Sequence, residues 1–299
     1  MVTRATVAAV GNFDGVHCGH QRLIARMATF AREIRATPGA VVFDPHPRRY
    51  FRPDDPPFLL TRPAQRDRLL EAAGARDILR LTFDAALAGA SPKSFVQDVL
   101  RGRLNLAGVV VGSDFRFGKD RAGDANALRA LTESAGMRAM IIEPKAESAS
   151  GEKIGSSQIR AAIAAGDVRA AAAMLGRLWS VEGVVEAGRK LGRTIGFPTA
   201  NLTLGELIEP RCGVYAVSVT IGHERYDGVA NFGRRPTVGS TAPLLEAYLF
   251  DFDDDLYGRE IEVHFVEFIR DERKFDGVEA LKRQIEADAR AARHILGAL

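Results

Sequence analysis

VAAVGNFDGVHCGHQRLI, residues 7–24, reads as a strand, a glycine-rich turn and the opening of a helix. The apolar run Thr6–Val10 ends abruptly in a Gly/Asp turn, and Leu23, Ile24, Met27, Phe30, Ala31 and Ile34 then recur at helical spacing. The alternation continues downstream. Strands are expected at Ala40–Phe43, Ile78–Leu81, Gly108–Val111 and Met137–Ile142, with helical stretches near Ala64–Ala73, Pro92–Leu100 and Asp124–Ser134. Unbroken runs such as VVV and AMII suit strands covered on both faces. Strand–helix alternation predicts a parallel sheet with right-handed crossovers, which binds ligands outside the carboxyl ends of its strands.

The pattern changes near Gly176–Leu178. The Ala-rich stretch Ser156–Leu175 before it reads as two short helices. Beyond it the period becomes two, as in Val214–Ile221 and Ile261–Phe268, which suggests a small antiparallel barrel or sandwich. Val278, Leu281, Ile285, Ala289, Ala292 and Ile295 mark one face of a closing helix. A length of 299 residues fits two domains, expected at 1–176 and 177–299.

Composition narrows the function. The formal charge of +3 is too small to imply nucleic-acid binding, so the expected partner is a small anion. Apolar runs long enough for a membrane span are missing, and the N-terminal run reads as a first strand rather than a signal peptide. Cys18 and Cys212 form neither metal-ligand spacing nor a disulfide framework, and a reducing cytoplasm fits.

His17 and His20 stand three apart where strand meets helix. Helix N-termini offer free N–H groups and the positive end of the dipole, so phosphates bind there. Two imidazoles at that point can donate to phosphate oxygens as charge builds in attack on a nucleoside triphosphate. The loop Gly11, Asn12, Phe13, Asp14 and Gly15 lets the backbone pass close to a nucleotide. Metal binding is the lesser alternative, because a helical His pair wants spacing four and a third ligand is not close in sequence. His46, in FDPHP after the second strand, reads either as an active-site residue or as a turn residue. GSSQIR (155–160) opens a helix with hydroxyls at Ser156 and Ser157 and with Arg160 one turn on. It reads as a second anion site or as an N-cap with a solvated arginine.

In the second half, GRKLGRTIGFPTANL (188–202) is glycine-rich and basic but lacks the order of a Walker loop. Its backbone and Lys190, Gly192 and Gly196 suit triphosphate binding. Thr199 and Asn201 share one face of an extended run, and their two neutral oxygens suit a sparse Mg²⁺ site; a turn-favouring loop is the bland reading. Glu246 is expected to share a strand face with Leu244, Tyr248 and Phe250. A carboxylate among apolar neighbours is either a general base for a substrate hydroxyl or half of a satisfied ion pair. The acidic run Asp251, Asp253, Asp254 and Asp255 reads as a solvated turn.

Strand–GNFDGVHCGHQ–helix, FDPHP, VGSDFRFGKDRAGD and GSSQIR, in that order, resemble the adenylyltransferase half of the bacterial bifunctional riboflavin kinase/FAD synthetases. GFPTANL, GVYAVSV, GVANFGRRPTV and LEAYLFDFDDDLYGREIEVHFVEFIRDERKFDG, with the final helix, resemble their kinase half. The likeness covers nearly the whole chain. It implies a Rossmann-like nucleotidyltransferase domain, followed by a six-stranded antiparallel barrel with a terminal helix. It implies that riboflavin is phosphorylated by ATP to FMN, and that FMN is adenylylated by a second ATP to FAD and pyrophosphate. His17, His20 and Arg160 would stabilise charge in the second reaction. Asp114 and Phe117 would lie near flavin or nucleotide. Mg²⁺-ATP would sit at Thr199 and Asn201, with Glu246 as catalytic base. The family motif around GSSQIR usually carries Ser where Gly155 stands and Thr where Ser157 stands. A different adenylyltransferase is disfavoured by the barrel half, and a catalytically dead flavin sensor by the presence of His17, His20, Asn201 and Glu246.

Overall fold

A computed structural model describes residues 5–143, 154–186, 196–234 and 243–298. The chain divides into two compact units, Met1–Asp55 with Pro63–Gly155, and Pro56–Arg62 with Ser156–Leu299.

In the first unit, β1 (Thr6–Val10), β2 (Thr37–Asp44), β3 (Asp77–Thr82), β4 (Leu106–Gly112) and β5 (Arg138–Ile142) form a parallel sheet in the order β3-β2-β1-β4-β5. Alternate residues face opposite sides, and both sides are covered. Ala8, Val10, Val41, Phe43, Val109 and Val111 pack with Phe95, Val96, Leu100 and Leu128. On the other side Val7, Ala9, Ala40, Val42 and Val110 pack with Leu70 and with Ile24, Met27 and Ala31 of α1 (Cys18–Glu33). This two-sided burial is why the strands read as continuous apolar runs. The strand order reverses beside β1: the chain runs outward to β2 and β3, then returns to place β4 on β1's other edge. Ligands of such sheets bind at that switch point, at the carboxyl ends. The helix expected from Pro92 to Leu100 instead continues to Arg103 with widened turns, and Leu104 N–H donates to Val99 O at 2.9 Å, five residues back.

In the second unit, helices Ser156–Ala165 and Val168–Leu175 precede β6 (Ser180–Val184), β7 (Ala200–Thr203), β8 (Gly213–Ile221), β9 (Glu224–Arg234), β10 (Pro243–Leu249) and β11 (Glu260–Arg270). The sheet order is β6-β11-β8-β9-β10-β7, antiparallel throughout. The end strands approach each other, and Glu186 N–H donates to Asn201 O at 2.9 Å, so the sheet nearly closes into a barrel. Trp179, Tyr215 and Phe265 fill its interior with ring centroids about 5 Å apart (4.8 Å for Trp179–Phe265, 5.0 Å for Tyr215–Phe265).

Residues 56–62 add an extended strap to this barrel. Phe58 and Leu59 N–H groups both donate to Glu206 O, and Ile208 N–H donates to Leu59 O at 2.8 Å. The buried Trp179 indole donates to Leu60 O at 3.0 Å. The helix Val278–Leu296 closes the unit. Its Asp288 accepts two hydrogen bonds from Arg270, at 2.8 and 2.6 Å, and a third from Gln284 at 2.9 Å.

Asp288 is 5% exposed. Replacing it with alanine strands the largely buried Arg270 charge, so Asp288→Ala is expected to destabilise this unit by about 3–5 kcal/mol in urea unfolding. A loss below about 1 kcal/mol, the size of an exposed pair, would contradict that reading.

Candidate functional sites

The turn after β1 is strained where it meets α1. Phe13 and Val16 hold φ of 52° and 40°, and Gly15 holds 83°. A β-branched residue in the left-handed region is costly, and such strain concentrates at functional sites. The turn delivers His17 to the N-cap of α1, where its Nδ1 accepts from His20 N–H at 3.4 Å. An accepting Nδ1 places the ring proton on Nε2, leaving a donor on the other side of the ring. Gly19 lets the ring lie close to the backbone: a Cβ there would stand 3.2 Å from the His17 ring, a tight approach.

The His20 ring stacks on His17 with centroids 3.6 Å apart and stands edge-on to Phe13 at 5.2 Å. Burial, and then the neighbouring His17, push its pKa well below the usual histidine value. Its Nδ1 is buried without a hydrogen-bond partner among the described residues. Asp14 is buried, Asn12 is exposed, and Gly11 N–H is tied to Val41 O of β2 at 3.2 Å.

His46 repeats the device of His17 one strand over. It caps α2 (Pro47–Phe51) with Nδ1 accepting from Arg48 N–H at 3.1 Å. β1 and β2 are neighbours, so both capping imidazoles stand at the carboxyl edge of the sheet. Asp114 follows β4 at the same edge and is exposed. Phe117 lies in the core, 6% exposed, with Phe95 and Phe115 each 5.6 Å away between ring centroids. An aromatic group not singled out from the sequence stands after His46. Tyr50 and Phe51 are 37% and 64% exposed, and both meet Phe83 edge-on. Only Tyr50 and Phe51 on so short a helix could have signalled it, since Phe83 arrives from beyond β3.

Ser156, Ser157 and Arg160 open a helix of the second unit. Arg160 Nε donates to Phe58 O of the strap at 2.7 Å, and its guanidinium lies 5.5 Å from the Phe58 ring centre.

Lys190 and Gly192 lie outside the described residues. Gly196 holds φ of 89°, a conformation that favours glycine. Phe197 then meets Tyr248 of β10 edge-on at 5.2 Å, laying the segment before Thr199 against that strand. In the register of β10, Glu246 pairs with Asn201 on one side and Asn231 on the other. Directly paired residues on one face have Cβ atoms about 5 Å apart, so these three side chains form a row. Glu246 is half-buried. Asn201 is 5% exposed, its amide donates weakly back to Thr199 O at 3.4 Å, and its Oδ1 is buried with no partner among the described residues. β10 ends at Leu249, one residue before Phe250, yet the Phe250 ring packs against Tyr248 with centroids 5.8 Å apart, as sharing a side requires.

Glu272, missed in the sequence reading, joins this row from the chain beyond β11. Its Oε1 accepts from Asn231 Nδ2 at 3.4 Å, and it lies so close over Gly233 that a Cβ there would collide with it. No periodic signal announces a residue in an irregular loop. Among the described residues no group of three or more His, Cys, Asp or Glu side chains forms a metal cluster, and no helix is long and apolar enough to cross a membrane.

Comparison with known proteins covers both halves of the chain. A FAD synthetase family model matches residues 1–158, and a riboflavin kinase family model matches residues 175–296. The bifunctional riboflavin kinase/FMN adenylyltransferase of Pseudomonas fluorescens is 40% identical, the alignment covering 97% of this chain and 93% of that protein. The protein of the same description from Haemophilus influenzae is 36% identical over 98% and 94%. A solved structure described as a macrolide-efflux protein from Streptococcus pneumoniae is similar over 98% of this chain and 95% of its own, with 32% identity and a TM-score of 0.87. The chain therefore belongs to the bifunctional riboflavin kinase/FMN adenylyltransferase family, and it makes FMN from riboflavin and ATP, then FAD from FMN and ATP.

Proposed function

We propose that the two reactions use separate machinery, adenylylation in residues 1–176 and riboflavin phosphorylation in residues 177–299. The register that sets Glu246 beside Asn201, whose buried Oδ1 has no partner among the described residues, is the observation that carries the kinase assignment.

In the kinase reaction Glu246 accepts the proton of the riboflavin 5′-hydroxyl as that oxygen attacks the γ-phosphate of ATP. The ladder sets this half-buried carboxylate between two amide side chains, Asn201 and Asn231, which suits a proton acceptor held in a fixed place. The orphaned Asn201 oxygen fits a hard cation, so Asn201 and Thr199 would hold Mg²⁺, which when bound neutralises charge on the phosphates. Lys190, Gly192 and Gly196 are assigned to the triphosphate on the sequence pattern alone.

In the adenylylation reaction the FMN phosphate is already a nucleophile, so a general base is not required. His17 Nε2–H and His20 supply hydrogen bonds to phosphate at the sheet's switch point, where Gly11, Asn12, Phe13, Asp14 and Gly15 line the turn. His46 and Asp114 share that edge. The exposed Phe51 ring offers a planar apolar surface for the flavin. Ser156, Ser157 and Arg160 are assigned to the same reaction on sequence resemblance. Such an enzyme of small anionic substrates is proposed to work in the cytoplasm.

The assignment predicts separable lesions. Glu246→Gln is expected to lower FMN formation by about 10²–10⁴-fold while leaving FAD formation from supplied FMN intact. His17→Ala is expected to lower FAD formation by about 10²–10³-fold while leaving FMN formation intact. Chromatographic separation of products reads both, and one substitution abolishing both steps would overturn the division. Phe51→Ala is expected to raise KM for FMN with kcat nearly unchanged; an unaltered KM removes Phe51 from the flavin surface.

A further expectation concerns protons. His20 is neutral in the free protein because its pKa is depressed, and a bound diphosphate favours the imidazolium. FAD binding is therefore expected to take up protons and to tighten as pH falls from 7.5 toward 6. Calorimetric titration with FAD in two buffers of different ionisation enthalpy measures this uptake, which His20→Gln should reduce. Equal heats in both buffers for the unmodified protein would show that His20 does not change charge.

A further inference from the structure

We propose that Arg62, carried on the strap from the first half of the sequence, is a positioning residue for the kinase site: it joins the two end strands of the barrel and so fixes Asn201. β6 and β7 are those end strands. Two residues past the end of β6, Glu186 N–H donates to Asn201 O of β7, in antiparallel sense. Counting from that pair, Val184 stands opposite Thr203 and Glu182 opposite Gly205. β7 stops at Thr203 and the chain turns at Gly205, whose φ is 59°, so a regular ladder does not continue to Glu182.

Arg62 fills this gap. Its Nε donates to Glu182 O of β6 at 2.9 Å. One terminal nitrogen donates to Thr203 O of β7 at 2.9 Å and to Leu204 O at 3.3 Å. A single planar fork thus supplies donors to carbonyls on both edges. A lysine, with one compact ammonium on a flexible stem, cannot fix both with the same geometry. A Cβ on Gly205 would come 3.6 Å from the guanidinium, so the turn packs closely around it.

The clamp acts two residues from Asn201, on the same short strand. Thr203 and Asn201 lie on one face, and Thr203 Oγ1 donates to Glu186 Oε1 at 3.1 Å. The strap itself is well anchored, with Phe58 2% exposed, Leu60 0% and Thr61 4%. The kinase unit is therefore discontinuous in sequence: the riboflavin kinase match at 175–296 does not contain the residue that pins its own β7. Without the clamp, β7 shifts against β10, and Asn201 leaves its place beside Glu246. Displacements of about 1 Å away from the chemistry can cost about 100-fold in rate.

This inference rests on placing the ATP phosphates at Thr199 and Asn201. In the full-length protein, Arg62→Ala is expected to lower kinase kcat/KM for ATP by about 10–100-fold, with KM for riboflavin and adenylylation of supplied FMN unchanged. Hydrogen–deuterium exchange of the peptide containing residues 200–204 should quicken in the same variant, without ligands. Added guanidinium at low millimolar concentration should restore part of the kinase rate. Arg62→Lys, which retains the charge, is expected to show the same ATP-specific defect in milder form and secures the test if the alanine variant folds poorly. Unchanged exchange and unchanged kcat/KM for ATP in both variants would overturn the clamp. Asn201→Ala separates the two ideas: if it spares ATP usage, the phosphate placement fails, whereas a defect there with none at Arg62 refutes the clamp alone.

Discussion

A slip of one residue between β10 and β7 would turn Glu246 from the outer face of the barrel to its interior and expel Leu245 and Ala247, which are buried there. The alternation of buried and half-buried positions along Pro243–Leu249 prevents this, because it would place Glu246 in the core and Leu245 in water. The proposed kinase site is thus a by-product of register. Asn201, Glu246 and Asn231 are brought together by the same ladder that sorts apolar side chains inward, and the edge closure at Glu186–Asn201 completes the row.

The first unit solves a similar problem differently. Its sheet is buried on both faces, so its strands cannot present polar side chains without a large desolvation cost. Chemistry is confined to the edge where strands end. There the backbone turns sharply, and His17 and His46 satisfy the opening N–H groups of two neighbouring helices with their Nδ1 atoms. Capping therefore also sets the tautomer: the atom committed to the backbone determines which nitrogen carries a donor. The stacked arrangement of His17 and His20 disfavours charge on both rings, so the proposed site is poised to donate hydrogen bonds, and to take up a proton, when phosphate arrives.

Much of this was legible in the sequence, for physical reasons. Two-sided burial writes itself as the unbroken VVV of β4, and one-sided burial as the alternation of β10, so sheet type could be read from periodicity; β8 alternates in sequence yet is buried on both faces, because Val214 and Ala216 pack with Ala292 of the closing helix. The histidine pair was legible because helix starts have a local signature. Contacts between residues distant in sequence were not. LLTR at 59–62 has no period that would show it lying on a barrel formed more than a hundred residues later, yet Trp179 donates to Leu60 across a separation of 119. Glu272 sits in an irregular segment after β11 and reaches Asn231 across a separation of 41 residues. Periodicity places Phe250 with Tyr248, and their rings do meet, but it does not show that the strand itself stops at Leu249.

The central claim is that one chain carries two independent triphosphate sites. Equilibrium titration with a non-hydrolysable ATP analogue and Mg²⁺ measures this directly. The account predicts two bound nucleotides per chain, one lost in a His17→Ala/His20→Ala variant and the other lost in Asn201→Ala. A single nucleotide per chain, or loss of both on changing either set, would contradict it.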